Sequence, residues 1–152
     1  MIELLERVVE DLVVVKSKLL LLNGAPNSGK STLLRQFAKR RDLQVLNVGA
    51  ALGRELLEIP STRRHLQASD LLKGLVHDFT SNGLLLMDNL EILFDQGLQL
   101  NPLDLLRRHA QARRVIAAWP GAFTEKRLSY ATTGHPEYQD YSCEGLVPFR
   151  VN

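Results

Sequence analysis

The sequence predicts an α/β fold built on a mainly parallel sheet. Three observations predict it: apolar runs of strand length recur along the chain, segments of helical periodicity separate them, and a glycine-rich turn joins the first run to the helix after it. The length of 152 residues is typical of one domain. We therefore expect a single domain over residues 1–152, with helices on both faces of the sheet in a three-layer αβα arrangement.

The spacing of apolar residues defines each predicted element. Ile2, Leu5, Val9 and Leu12 recur at helical spacing, whereas the leucine run over 19–22 is typical of a strand buried on both faces. In chain order we predict a helix over 2–15, a strand over 19–22, a helix over 30–41, a strand over 43–48, a short helix over 52–57, a helix capped by Ser69 or Asp70 and ended by 81–83, a strand over 84–87, a helix begun by Asn101-Pro102, a strand over 115–119, and a last strand over 128–132. The remainder of the tail, about 121–152, is predicted to be rich in loops.

Composition and charge exclude several classes of protein. Nineteen basic against seventeen acidic side chains leave a net charge of +2, too small to indicate nucleic-acid or membrane binding. Cys143 is the only cysteine, so an internal disulfide and a cysteine-rich metal site are excluded. The start of the chain is acidic, unlike a secretory signal, and the apolar runs are shorter than the roughly 20 residues that cross a bilayer. We expect a cytoplasmic protein with no membrane contact.

Residues 24–31 carry the strongest motif of the chain. Their sequence, GAPNSGKS, fits G-x-x-x-x-G-K-[ST] and lies between a predicted strand and a predicted helix. Such glycines let backbone N–H groups surround a phosphate, while the lysine reaches the β- and γ-phosphates and the hydroxyl binds Mg²⁺. The motif predicts ATP or ADP with Mg²⁺ as cofactors, and a glycine turn before an ordinary helix is the alternative. The expected binding residues are Gly24, Ala25, Pro26, Asn27, Ser28, Gly29, Lys30, Ser31 and Thr32.

An acid at the end of a buried strand is the expected partner of this loop. Asp88 follows an apolar run, so we expect Asp88 and Ser31 to hold Mg²⁺. Many ATPases of the AAA+ type carry glutamate directly after this aspartate, but here Asn89 follows, and an amide cannot take a proton from water at neutral pH. Glu91 is the nearest acid, and it is either a substitute base or a solvated helix residue. Asn89 and Glu91 are the candidate catalytic residues.

Other features bear on how the site would work. The fourth strand ends in Trp119-Pro120-Gly121, where AAA+ proteins usually offer a polar group to the γ-phosphate, so we expect weak turnover. The absence of [NT]-K-x-D argues against a GTPase. Four arginines precede the fourth strand and are either surface charges, a phosphate-binding patch, or a source of an arginine that reaches a neighbour's nucleotide: Arg107, Arg108, Arg113 and Arg114.

The order of these segments resembles one family. A helix, the phosphate loop, LLMDNLEILF (85–94), AWPG (118–121), LSYA (128–131) and GHPEY (134–138) together resemble the BrxF family, the small P-loop proteins of type 3 BREX bacteriophage-defence systems. The resemblance covers nearly the whole chain. It implies a bacterial cytoplasmic ATP-binding component that works with a large ATPase, a methyltransferase and a phosphatase-like protein. The broader similarity is to a P-loop NTPase of AAA+-like core without its C-terminal helical lid, since about thirty residues follow the fourth strand.

Three functions are compatible with these observations. The leading one is a nucleotide-dependent assembly or switch protein, which forms a homo-oligomer and hydrolyses ATP weakly or only with a partner. A small-metabolite phosphotransferase would need an acceptor pocket and a lid with arginines. A DNA-contacting accessory module would use the arginine pairs.

Overall fold

A five-stranded parallel sheet organises the fold. The computed structural model describes residues 1–13, 18–124, 127–131, 134–142 and 145–151. The helices are α1 (Ile2–Asp11), α2 (Lys30–Arg41), α3 (Val48–Leu56), α4 (Arg64–Phe79) and α5 (Pro102–His109). The strands are β1 (Leu19–Asn23), β2 (Val45–Asn47), β3 (Leu84–Asp88), β4 (Arg114–Ala118), β5 (Ala122–Thr124), β6 (Arg127–Tyr130), β7 (Gln139–Ser142) and β8 (Val147–Arg150). The sheet order is β2-β3-β4-β1-β8, and all neighbours pair in parallel, which confirms the predicted α/β class with its parallel sheet.

Helices pack on both faces of this sheet. Alternate side chains of β1 point in opposite directions: Leu20 and Leu22 join the apolar cluster formed with α1 and α2, whereas Leu19 and Leu21 join the cluster formed with α3, α4 and α5. All five residues of β1 are buried, as expected for a central strand covered on both faces. The arrangement is consistent with an αβα layered fold. No helix in the described ranges is both long and apolar enough to cross a membrane.

The second strand and the helix after it differ from the prediction. The strand spans only Val45–Asn47, and the helix begins at Val48 rather than at residue 52. The cause is Asn47, whose side chain accepts a hydrogen bond from the backbone N–H of Ala50 and thereby caps the helix. The first helix, predicted over 2–15, ends earlier, at Asp11: Leu12 is its C-cap, and residues 12–13 form a turn. Residues 14–17 lie outside the described part of the chain.

The start of α4 was also predicted wrongly. Ser69 and Asp70 are exposed residues within the helix, which begins at Arg64 after a 3-10 turn at Ser61–Arg63. The buried stripe starts only at Ala68, because Leu66 in the first turn is exposed, so apolar spacing did not mark the true beginning. The cap at Asn101, by contrast, is confirmed: its side chain accepts from the backbone N–H of Asp104.

The predicted loop-rich tail contains four strands. Strands β5, β6 and β7 form a small antiparallel sheet, and β6 corresponds to the strand predicted over 128–132. Strand β8 was not predicted, and it pairs with β1 at the edge of the main sheet. Its Pro148 lacks a backbone N–H, which an edge strand tolerates and a sequence pattern does not favour.

Candidate functional site

A cleft of about 460 Å³ lies at the carboxyl ends of the parallel strands. This edge is where open α/β sheets bind their ligands, since loops that follow neighbouring strands converge there. The lining residues come from the Gly24–Ser31 loop, from the ends of β2, β3 and β4, and from the small sheet: Pro26, Lys30, Ser31, Asn47, Asp88, Asn89, Glu91, Ala118, Trp119, Pro120 and Tyr130. Six of these residues were predicted for a site from the sequence: Pro26, Lys30, Ser31, Asp88, Asn89 and Glu91.

The loop between β1 and α2 requires glycine at its first position. A Cβ atom on Gly24 would collide with the carbonyl oxygen of Val151 and lie 2.6 Å from the Ser28 hydroxyl. Gly29 has φ +100°, a left-handed conformation that glycine adopts without strain, and it immediately precedes α2. These two glycines turn the chain tightly from the strand into the helix, as the motif requires.

Lys30 directs its ammonium group into the cleft. The Nζ atom donates to the carbonyl oxygen of Gly24 at 3.1 Å and to that of Trp119 at 2.8 Å. Burial lowers the pKa of Lys30, and the negative charges of Glu91 and Asp88 oppose that shift. The lysine thus lies between the loop and the end of β4, with both its partners neutral.

Ser31 and Asp88 meet across the cleft. The Ser31 hydroxyl donates to Asp88 Oδ1 at 3.1 Å, and the backbone N–H of Asn89 donates to the same oxygen at 2.8 Å. No other hydrogen bond to this carboxylate occurs among the described residues, so Oδ2 keeps its acceptor capacity. A hydroxyl and one carboxylate are ligands of the kind Mg²⁺ takes, since that ion completes its shell with water and substrate phosphate.

Two features of the loop fit an anionic group. The Ser28 hydroxyl oxygen is buried and has no hydrogen-bond partner within the described ranges, a state that costs about 1–3 kcal/mol unless a ligand satisfies it. Helix α2 has no side-chain cap, so the N–H groups of its first turn lack an acceptor from a capping side chain. A second cavity of about 300 Å³ adjoins them and is lined by Asn27, Gly29, Lys30, Ser31 and Thr32. Phosphate at a helix N-terminus would satisfy both features.

Asn89 is fixed by a partner that the sequence analysis missed. Its backbone has φ +57°, and its Nδ2 donates to Asn47 Oδ1 at 3.1 Å. Asn47 ends β2 in register with Asp88 of β3, so the pair spans two neighbouring strand ends. Asn47 directly precedes α3, and an asparagine at that position is a typical helix cap. The sequence analysis missed this signal because it assigned residues 43–48 to a strand. Glu91 lies in the 3-10 helix Leu90–Phe94, exposed at the rim of the cleft.

The small sheet supplies a wall that was not predicted. The indole N–H of Trp119 donates to the carbonyl oxygen of Ser129 at 3.0 Å, which ties the end of β4 to β6. Tyr130 lines the cleft and stacks on Phe94 with ring centroids 3.9 Å apart. Burial, with the charges of Glu137 and Glu91, raises the pKa of Tyr130. Trp119 itself is fully buried, and its ring packs in the core. Its backbone carbonyl accepts the hydrogen bond from Lys30.

The four predicted arginines lie away from this cleft. Arg114 begins β4 and Trp119 follows its end, so they are separated by about 16 Å of extended chain. Each arginine has an intramolecular partner: Arg107 donates to the carbonyl oxygen of Ser142, Arg108 pairs with Asp104 at 2.7 Å, Arg113 donates to the carbonyl oxygen of His109, and Arg114 donates to that of Val9. None of the four lines the cleft of its own chain in the described structure.

Comparison with known proteins yields no relative. No family model, no curated protein and no solved structure matches the chain. What the cleft does is therefore inferred from its own geometry and from the motifs that line it.

Proposed function

We propose that the chain is a P-loop nucleotide-binding protein that holds ATP or ADP with Mg²⁺ in the cleft. The observation that carries the proposal is the 3.1 Å hydrogen bond between Ser31 and Asp88. It joins the first turn of α2, directly after the glycine-rich loop, to the acid that ends β3, and the two residues are 57 positions apart in the chain. Phosphate-loop proteins use this pair of groups to hold the metal.

Each residue then has a defined task. The ammonium of Lys30 pairs with phosphate oxygens in place of the Gly24 and Trp119 carbonyls, and the loop amides and the Ser28 hydroxyl donate to the same anion. Ser31 and Asp88 hold Mg²⁺, which when bound neutralises charge on the phosphates. The parallel sheet with helices on both faces supports a P-loop NTPase fold. The described residues after β4 form strands and no helix, which supports an AAA+-like core whose described part contains no helical lid.

The same geometry favours slow hydrolysis. Asn89 is held by Asn47 and cannot remove a proton from water, and the end of β4 presents a buried tryptophan instead of a polar side chain. Glu91 is exposed at the rim. We therefore propose a nucleotide-dependent assembly or switch protein, with weak or partner-dependent ATP hydrolysis.

A second subunit would complete such a site. The four arginines lie at the opposite edge of the sheet, where they can face a neighbour, and Arg108 is the most accessible of them in this role because its side chain is 59% exposed. We propose a head-to-tail homo-oligomer, in which a neighbouring subunit supplies an arginine to the nucleotide site. The alternative is that a different protein supplies it. The resemblance to the BrxF family supports an anti-phage (BREX) setting, with its large ATPase, methyltransferase and phosphatase-like protein as partners.

Calorimetric titration with ATP and Mg²⁺ tests the binding proposal. Lys30→Ala should remove measurable binding while the variant still folds, with a free energy of unfolding lower by about 1–3 kcal/mol for the two hydrogen bonds that its ammonium makes to backbone carbonyls. Lys39→Ala is the matched control, since Lys39 is an exposed lysine on the same helix. Equal affinity of wild type and Lys30→Ala would contradict the proposal.

A further inference from the structure

A second large cleft lies between α4 and α5. It has a volume of about 550 Å³, and five basic residues and one acid contribute to its lining: Lys73, His77, Arg108, His109, Arg113 and Asp70. Arg108 and His109 end α5 just before β4 begins, so the cleft lies towards the amino edge of the sheet, away from Lys30. It is separate from the candidate nucleotide site.

The lining of this cleft carries an excess of positive charge. Arg108 pairs with Asp104 at 2.7 Å, but no carboxylate oxygen of the described chain lies within 4.0 Å of the charged nitrogens of Lys73 or Arg113. Arg113 donates to the backbone carbonyl of His109 at 3.0 Å, which fixes its guanidinium at the cleft. Lys73 and Arg113 therefore face the cavity without a direct ion-pair partner among the described residues, and with Asp70 they leave its lining one positive charge in excess once the Arg108–Asp104 pair is set aside.

The pKa of His109 depends on cations from two separate segments of the chain. Burial lowers the pKa of His109, and the positive charges of Arg113, Arg108 and Lys73 lower it further. Lys73 belongs to α4, together with the cleft residues Asp70 and His77, whereas the two arginines belong to α5 and the turn after it. The cations of two separate segments thus converge on one imidazole.

We propose that this cleft binds a small ligand through a phosphate group. A phosphate group would accept hydrogen bonds from the Lys73 ammonium and from the Arg113 guanidinium, whose paired donors match its oxygens. The volume of the cleft is within the roughly 300–1,000 Å³ that is typical of small-molecule sites. Its walls are two helices, and a cleft of this shape admits a compact phosphate group more readily than the backbone of duplex DNA. The carboxyl ends of both helices disfavour an anion, so the side-chain charges supply the attraction.

Titration of inorganic phosphate into the Lys30→Ala variant tests the proposal without the loop lysine of the nucleotide site. Ionic strength is kept constant, and the imidazole signals of the four histidines are followed by NMR. We expect saturable shifts of His109 and His77 and a rise in the pKa of His109, with His65 and His135 unmoved. A second substitution, Lys73→Gln, should weaken phosphate binding about tenfold and raise the pKa of His109 in the ligand-free chain.

Lys39→Gln in the same background is the matched control, because Lys39 lies on the opposite face of the sheet. Equal binding with and without Lys73, or equal shifts of all four histidines, would overturn the proposal. So would a short duplex DNA that moves the His109 signal when inorganic phosphate does not. The outcome is independent of the proposed function, since absence of ATP binding in wild type would leave the phosphate response of His109 intact.

Discussion

The substitution Asn89→Glu tests whether a missing carboxylate limits ATP hydrolysis. The backbone conformation at this position means that the substitution should also lower the stability of the fold. Asn89 has φ +57°, a left-handed conformation that asparagine tolerates and glutamate disfavours by about 1–2 kcal/mol. The change also removes the bond from Nδ2 to Asn47, worth about 0.5–1.5 kcal/mol. We therefore expect Asn89→Glu to lower the free energy of unfolding by about 2–3 kcal/mol.

Two matched variants separate these effects. Asn89→Asp also adds a carboxylate, but aspartate tolerates the left-handed conformation, so this variant should lose about 1 kcal/mol. Asn89→Gly keeps the conformation and adds no functional group. Urea unfolding measures the stabilities, and release of inorganic phosphate from ATP measures turnover.

Turnover of the isolated wild-type chain should lie well below the roughly 1–100 per second of active kinases. Asn89→Glu and Asn89→Asp should raise it if the carboxylate is what is missing, since a positioned base contributes about 10²–10⁴ in rate. A wild-type rate in the kinase range would refute slow hydrolysis. An unchanged rate in both acidic variants would assign the deficit to the end of β4 or to an arginine from another subunit. A glutamate variant as stable as wild type would refute the backbone argument.

Two further predictions concern pH and association. The lowered pKa of His109 means that the unfolded chain takes up a proton first as pH falls through the ordinary value of 6.5, so the free energy of unfolding should fall there, by up to about 1.4 kcal/mol per unit of pKa difference. His109→Gln should flatten that dependence in urea titrations, and a profile identical to that of wild type would contradict it. In light scattering, ATP and Mg²⁺ should raise the mass above 17.1 kDa, and Arg108→Ala should lower the turnover of the assembly. A mass that stays at 17.1 kDa at every concentration would leave a site completed by a different protein.

Local signals allowed much of the fold to be predicted. The leucine run of β1, the apolar run of β3 and the cap at Asn101 each act within a few residues, and the structure places all three where the sequence predicted them. The first glycine of the loop is needed because of a contact with Val151, yet the motif alone identified it. Of the candidate site, the sequence thus predicted the loop and its acidic partner, which the Ser31–Asp88 bond brings together.

What the sequence could not predict depends on pairing between distant segments. Strand β8 is short and contains Pro148, and its place in the fold comes from pairing with β1 more than a hundred residues earlier. Strand β7 has mostly exposed side chains, so it lacks the alternation that predicts a strand. Asn47 reaches Asn89 only because β2 and β3 are in register.

These long-range pairings also determine the shape of the cleft. Beyond β8, the backbone N–H of Val151 donates to the carbonyl oxygen of Asn23 at 2.7 Å, and its own carbonyl lies where a Cβ of Gly24 would be. On the other side of Lys30, Trp119 is tied to Ser129 of the small sheet. The tail therefore supports the glycine-rich loop from one side and holds the lysine's second carbonyl partner from the other. Lys30 contacts both Gly24 and Trp119, so a ligand that draws its ammonium away would act on both supports at once. This is how the proposed nucleotide-dependent switch would be connected to the β5–β8 region.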